Sequence, residues 1–168
     1  MPPAPGYLNP ASLQRPWCHS PAKQPAYVFF YSPSAAGSDA QQLISGNNTV
    51  VTLTASLHAS VDLADAAAGT LALQETVFNT AKTSAATLPI LGMLTLFLGT
   101  RGTLTVLVVQ NGNAVSPVDF VVPAESTSAA YQYEIASGTG AFFNANGFVQ
   151  VTVVATSSTR QIEVFLNP

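Results

Sequence analysis

Charged side chains are scarce in this chain, making up 8% of its 168 residues, against roughly 25% in an ordinary soluble domain. The five basic residues, Arg15, Lys23, Lys82, Arg101 and Arg160, stand singly, and the formal net charge is −3. Affinity for a phosphate backbone comes from clustered Lys and Arg that release counterions, so nucleic acid is excluded as a partner. The sole cysteine, Cys18, has no partner for an internal disulfide. With only His19 and His58 beside it, the chain falls short of the four ligands of a zinc site, so neither a metal nor a cofactor is expected. Long apolar runs are missing as well. The most apolar stretch, 88–98, is interrupted by Pro89, Gly92 and Thr95 and is too short for the ~20-residue helix that spans a membrane. The first residues, Met1-Pro2-Pro3-Ala4-Pro5, lack the basic start and apolar core of a secretory signal. Either the protein is intracellular or a leader precedes this sequence.

What the chain does have is apolar and small polar residues: 48% is hydrophobic, and the surface falls to Thr, Ser, Asn, Gln, Ala and Gly. Such a surface is easily covered by neighbouring subunits because little self-repulsion opposes contact. Eight of the twelve prolines lie within the first 33 residues, which rules out a continuous helix or central strand there. Residues 1–26 therefore read as an extended proline-rich arm, with Tyr7, Leu13 and Trp17 as anchors that a solvated tail would lack. Residues 27–168 form the second unit. Past Ala26 the pattern has a period of two, and no amphipathic helix is seen. Strands are predicted at 27–31, 48–57, 70–78, 91–99, 103–110, 117–122, 129–136, 147–155 and 160–166. In the second of these, Val51, Leu53, Ala55 and Leu57 share one face. The expected fold is all-β, a closed antiparallel barrel of about eight strands with an extended proline-rich N-terminal arm.

The segment Ser137-Gly138-Thr139-Gly140-Ala141-Phe142-Phe143-Asn144-Ala145-Asn146-Gly147-Phe148 is a glycine-studded corner that feeds a strand. Gly138, Gly140 and Gly147 supply positive φ or close backbone approach, while Phe142 and Ala145 can pack inward. With Thr139, these residues form a pattern that resembles the dirigent and allene oxide cyclase-like barrels. The resemblance spans roughly 48–168. It includes Leu91–Phe97 and Gly102–Val106 as paired central strands and Tyr133-Glu134-Ile135 as the strand entering the corner. It implies a barrel, and in members that steer phenoxy radicals or assist ring closure it implies acidic and basic groups inside a cavity. This chain departs from the pattern at Phe143 and Asn146, where the family usually carries charge.

Acid–base work needs two titratable groups in contrasting environments. Glu75, Glu134 and Arg160 are the strand-borne candidates for cavity polar groups, although an outward, solvated glutamate is the simpler expectation for Glu75 and Glu134. Asp62 and Asp65 read as a hydrated loop, since a hard cation needs six or more oxygen ligands. Gly138-Thr139-Gly140 is no phosphate cradle, because it runs into a strand without a basic residue. No catalytic constellation is visible. The first expectation is accordingly a non-catalytic barrel subunit of a large assembly, such as a minor capsid or cement-like protein of a virion, whose partners are copies of itself or a coat protein. The alternative is a dirigent-like or cyclase-like barrel that binds and steers a hydrophobic small molecule.

Overall fold

The computed structural model describes residues 24–78, 88–112, 130–154 and 158–168. The proline-rich arm with Tyr7, Leu13 and Trp17, and the strand expected at 117–122, lie outside the described residues. Nine strands are described: β1 (Tyr27–Tyr31), β2 (Asp39–Ser45), β3 (Asn48–Leu57), β4 (Gly69–Val77), β5 (Leu88–Phe97), β6 (Thr103–Gly112), β7 (Ala130–Gly138), β8 (Gly147–Val153) and β9 (Arg160–Leu166). They form one antiparallel sheet in the order β1-β9-β8-β7-β6-β5-β4-β3-β2. Nearly every neighbour in space is a neighbour in sequence, as expected of a meander of hairpins.

Strand parity sets the inside. Val51, Leu53, Ala55 and Leu57 of β3 are buried, as are Leu71, Leu73 and Val77 of β4. Leu94 and Leu96 of β5, Leu104, Val106 and Val108 of β6, and Val149 and Val151 of β8 continue the same layer. Because side chains alternate between faces, one register places all of these on the concave side of a curled sheet. A shift between Thr105 and Val106 in the pairing with β7 leaves Ala136 unopposed, a bulge that bends the strand and helps the sheet curl.

The sheet does not close along its length, which corrects the expectation of a closed barrel, and the reason is β2. The polar segment Asp39–Ser45 pairs with Asn48–Thr54 on the edge of β3 that faces away from β4. That edge is where β1 would have to pair to complete the ring. β1 meets it only beyond β2, in a single bridge between Phe30 and His58, whose two backbone hydrogen bonds are both 2.8 Å. The result is an open, curled sheet pinned at one point.

The glycine corner lies at the same end of the sheet, beside the β5–β6 connection. Gly140, at a φ of 61°, opens a single 3-10 turn (Gly140–Phe142), a left-handed conformation in which a side chain is strained. Phe142 is buried, and Ala145 packs against the main core. Thr139 joins this corner to the β5–β6 connection: its N–H donates to the Thr103 carbonyl at 2.9 Å, its hydroxyl accepts from the Thr103 N–H at 3.1 Å and pairs with the Thr103 hydroxyl at 2.8 Å. Replacing Thr139 by valine keeps the shape and removes the two side-chain bonds, so urea denaturation should show a loss of about 1 kcal/mol. An unchanged midpoint would mean that water replaces both bonds at no cost.

Candidate functional site

β4 reads Leu71-Ala72-Leu73-Gln74-Glu75-Thr76-Val77, and its parity puts Glu75 in line with Leu71, Leu73 and Val77 on the concave face. The side chain is fully buried. Directly across, Val51 of β3 and Gly92 of β5 are its register partners, and Val108 of β6 follows beyond Gly92. Along β4, Glu75 falls between Leu73 of the main core and Val77 of a smaller apolar cluster of Val51, Val77 and Ile90. Neither carboxyl oxygen has a hydrogen-bond partner. Burial pushes its pKa up to about 8 from 4.5, and no neighbouring charge contributes. Removing a carboxylate from water without a compensating bond disfavours the charged form, so the group is mostly a neutral acid at pH 7.

Gly92 explains how the carboxyl fits. A Cβ there would collide with the Gln74 carbonyl oxygen and come within 2.7 Å of Glu75 Cγ. The missing side chain is therefore the space into which the glutamate folds.

The other sequence candidates are not gathered around Glu75 by any described contact. Glu134 is exposed on the outer face and lines a cleft of about 500 Å³ together with Gln132, Tyr133, Ile135, Asn146, Gly147, Phe148 and Asn167. Arg160 is buried at the start of β9 and donates from Nη1 to the Ser158 carbonyl at 3.0 Å. Of the two glutamates expected to point outward, Glu134 does so and Glu75 does not.

Asp62 and Asp65 sit in the loop after β3 and cap it. The Ser60 hydroxyl donates to Asp65 Oδ1 at 2.6 Å and to Asp62 Oδ1 at 2.8 Å, and the Ala59 N–H donates to Asp65 Oδ2 at 2.9 Å. The Ser60 bond is the main reason both carboxyls titrate below the usual range. His58 Nδ1 lies 3.0 Å from the Asp65 carbonyl oxygen and 3.4 Å from its carboxylate. These bonds fold the loop on itself. Among the described residues no group of three or more His, Cys, Asp or Glu side chains is placed to hold a metal, and no helix is long and apolar enough to cross a membrane.

Sequence reasoning passed over the pairing of Glu75 with Gly92. The signal was available in parity: Leu71, Leu73 and Val77 on one strand, and Ile90, Leu94 and Leu96 on the other, each frame the odd residue within an apolar stripe.

No protein-family model and no curated protein matches the chain. Comparison with solved structures finds similar folds, among them the following two. A pyocyanin demethylase superposes with a TM-score of 0.53 at 17% identity, covering 83% of this chain and 97% of its own. A pterocarpan synthase dirigent protein superposes with a TM-score of 0.58 at 15% identity, covering 83% of this chain and 84% of its own. The fold is thus that of the dirigent-like barrels, as the glycine corner implied.

Proposed function

We propose that this protein holds a hydrophobic small molecule at the concave face of the sheet and steers its reaction through the Glu75 carboxyl. The observation that carries this reading is a fully buried carboxyl with no hydrogen-bond partner in an apolar shell. Such a group costs stability and is retained where an incoming ligand satisfies it. With a pKa raised to about 8, it can donate a proton to a carbonyl or phenolic oxygen and recover it near neutral pH. The surrounding Val51, Leu73, Ile90 and Val108 exclude water and orient an apolar ligand by shape. A second acid or base is not needed for this role, in keeping with the lack of contact between Glu75 and either Glu134 or Arg160.

The two structural neighbours favour this reading over the assembly subunit, since one is named a demethylase and the other a synthase of the dirigent type. Neither is a capsid or cement protein. The test is equilibrium binding of 1-N-phenylnaphthylamine and of pyocyanin by fluorescence, across pH 6 to 9, for the native chain and for Glu75→Gln. The native chain should bind at least one of them, more weakly as pH rises through about 8 and the carboxyl ionises. The amide variant should lose that pH dependence while keeping its fold. Absence of binding, or an identical pH profile in the variant, would refute the assignment of Glu75.

A further inference from the structure

We propose that the cleft beside Glu134, on the convex face of β7–β9, binds a neutral saccharide. The site is independent of Glu75, which lies on the concave face of β4. Strand parity arranges it in three rows. Glu134, Phe148 and Phe165 are register partners across β7, β8 and β9. Two residues along the strands lies the second row, Gln132, Gln150 and Glu163. On the other side, where β8 begins and β9 ends, Asn146 and Asn167 form the third, joined by a hydrogen bond from the Asn167 N–H to the Asn146 carbonyl at 2.7 Å. An aromatic row is thus flanked by amides on both sides, and the cleft of about 500 Å³ touches all three rows.

The rows are held in place by their own contacts. Gln132 Nε2 donates to Gln150 Oε1, and Gln150 Nε2 donates to Glu163 Oε2, both at 3.0 Å. The Phe148 and Phe165 rings stack 4.6 Å apart and 14° from parallel, close to the ~4.8 Å between neighbouring strands. The ring normals therefore run from strand to strand, and the face of Phe148 that Phe165 does not cover turns toward β7 and Glu134. Side chains fixed in advance lose less freedom when a ligand arrives.

The hydrogen-bonding atoms select the ligand. Among the described residues, neither carboxylate oxygen of Glu134 has a partner, nor has Oε1 of Gln132. Asn146 accepts from Asn167 Nδ2 through Oδ1 at 3.4 Å and keeps its own Nδ2 for a further bond. The cleft therefore offers several acceptors, a donor and an apolar ring face. Because a hydroxyl both donates and accepts, a sugar can donate to Glu134 and Gln132, accept from Asn146, and set its C–H groups against Phe148. Among the described residues no Lys or Arg lines the cleft, so an anion would meet a carboxylate with nothing to neutralise it. An apolar ligand would bury these polar groups unpaired, and a cation would leave Asn146 Nδ2 unused. The volume lies within the roughly 300–1,000 Å³ of ligand pockets and suits a mono- or disaccharide.

The experiment is titration calorimetry on the full chain with maltose, cellobiose, lactose and chitobiose, and with tetramethylammonium as a cationic control. At least one disaccharide should bind with a millimolar or lower Kd. Glu134→Ala should weaken that binding about tenfold and Gln132→Ala several-fold, both at exposed positions and with unchanged far-UV dichroism. Asp39→Asn, which removes an exposed carboxylate on β2, should leave it unaltered. Sedimentation with insoluble starch, cellulose and chitin separates the two sources of such a ligand: capture by the polymer together with binding of its disaccharide marks a polysaccharide, and binding of the disaccharide alone marks a free sugar. The proposal is overturned if none of the disaccharides binds, if binding survives both cleft substitutions at full strength, or if tetramethylammonium binds and the sugars do not. Pyocyanin and 1-N-phenylnaphthylamine test Glu75 separately, so the failure of either reading leaves the other standing.

Discussion

Replacing Glu75 by methionine should stabilise the protein, by about 2 kcal/mol at pH 5 and by more at pH 8. The native side chain buries two carboxyl oxygens without a partner, and an unsatisfied buried polar group costs roughly 1–3 kcal/mol. Methionine is unbranched, of similar length and without a polar hydrogen-bonding group to desolvate, so it can occupy the space over Gly92 with little repacking. The pH dependence follows from the raised pKa. Between 4.5 and about 8, the folded protein holds a proton that the unfolded chain has released. The contribution of Glu75 to stability is therefore fully present below pH 4.5 and is lost as pH rises through that window, by about 1.4 kcal/mol per unit at the steepest. Above about 8 it levels off, because both states are then ionised. Urea midpoints at pH 5, 6.5 and 8 should fall for the native chain and stay nearly level for Glu75→Met. Parallel profiles would show that the carboxyl is hydrated in solution and would remove the physical basis of the proposed site.

The same substitution should abolish the pH-dependent ligand binding described above. Gain of stability with loss of function identifies a residue kept for chemistry rather than for packing. A glutamate kept for structure would show the opposite, with stability falling when its side chain is removed.

Much of this architecture was legible because burial writes a period of two into the chain. The alternation over Val51, Leu53, Ala55 and Leu57 placed β3 correctly, and β9 matched its expected range, since one face of each strand is buried throughout. The expectation failed at β2. All seven residues of Asp39–Ser45 are exposed, so nothing forces Leu43 and Ile44 into an alternating pattern, and only pairing with β3 defines the strand. With β2 unseen, nothing in the pattern occupied the outer edge of β3, so the count of about eight strands read as a closed barrel. At the candidate site the difficulty was different. A glutamate is almost always solvated, and that prior outweighed the apolar stripe in which Glu75 sits. The stripe proved the better guide, because a strand cannot turn one side chain outward without losing its register.

Introducing a methyl group at the corner, Gly138→Ala, should destabilise the protein by about 3 kcal/mol or more, as much as removing the Phe142 ring. A Cβ on Gly138 would collide with the Phe142 carbonyl oxygen and come within 2.9 Å of Phe142 Cβ. The obstacle is backbone, which cannot rotate away as a flexible side chain could. Phe142 in turn is 1% exposed and packs edge-on against Tyr27, with ring centres 5.6 Å apart, while Arg101 lies 5.6 Å over the same tyrosine ring. Displacing the corner therefore pulls on β1 and on the β5–β6 connection together. Phe142→Ala should cost about 3–5 kcal/mol through the cavity it leaves. Because both substitutions loosen the same contact, their effects should fall short of additive by 1 kcal/mol or more in a double-mutant cycle read by urea denaturation. Strict additivity would mean that Gly138 and Phe142 act on separate parts of the fold. A cost below about 1 kcal/mol for Gly138→Ala would mean that the corner yields, leaving the close approach as a consequence of the fold and not a constraint on it.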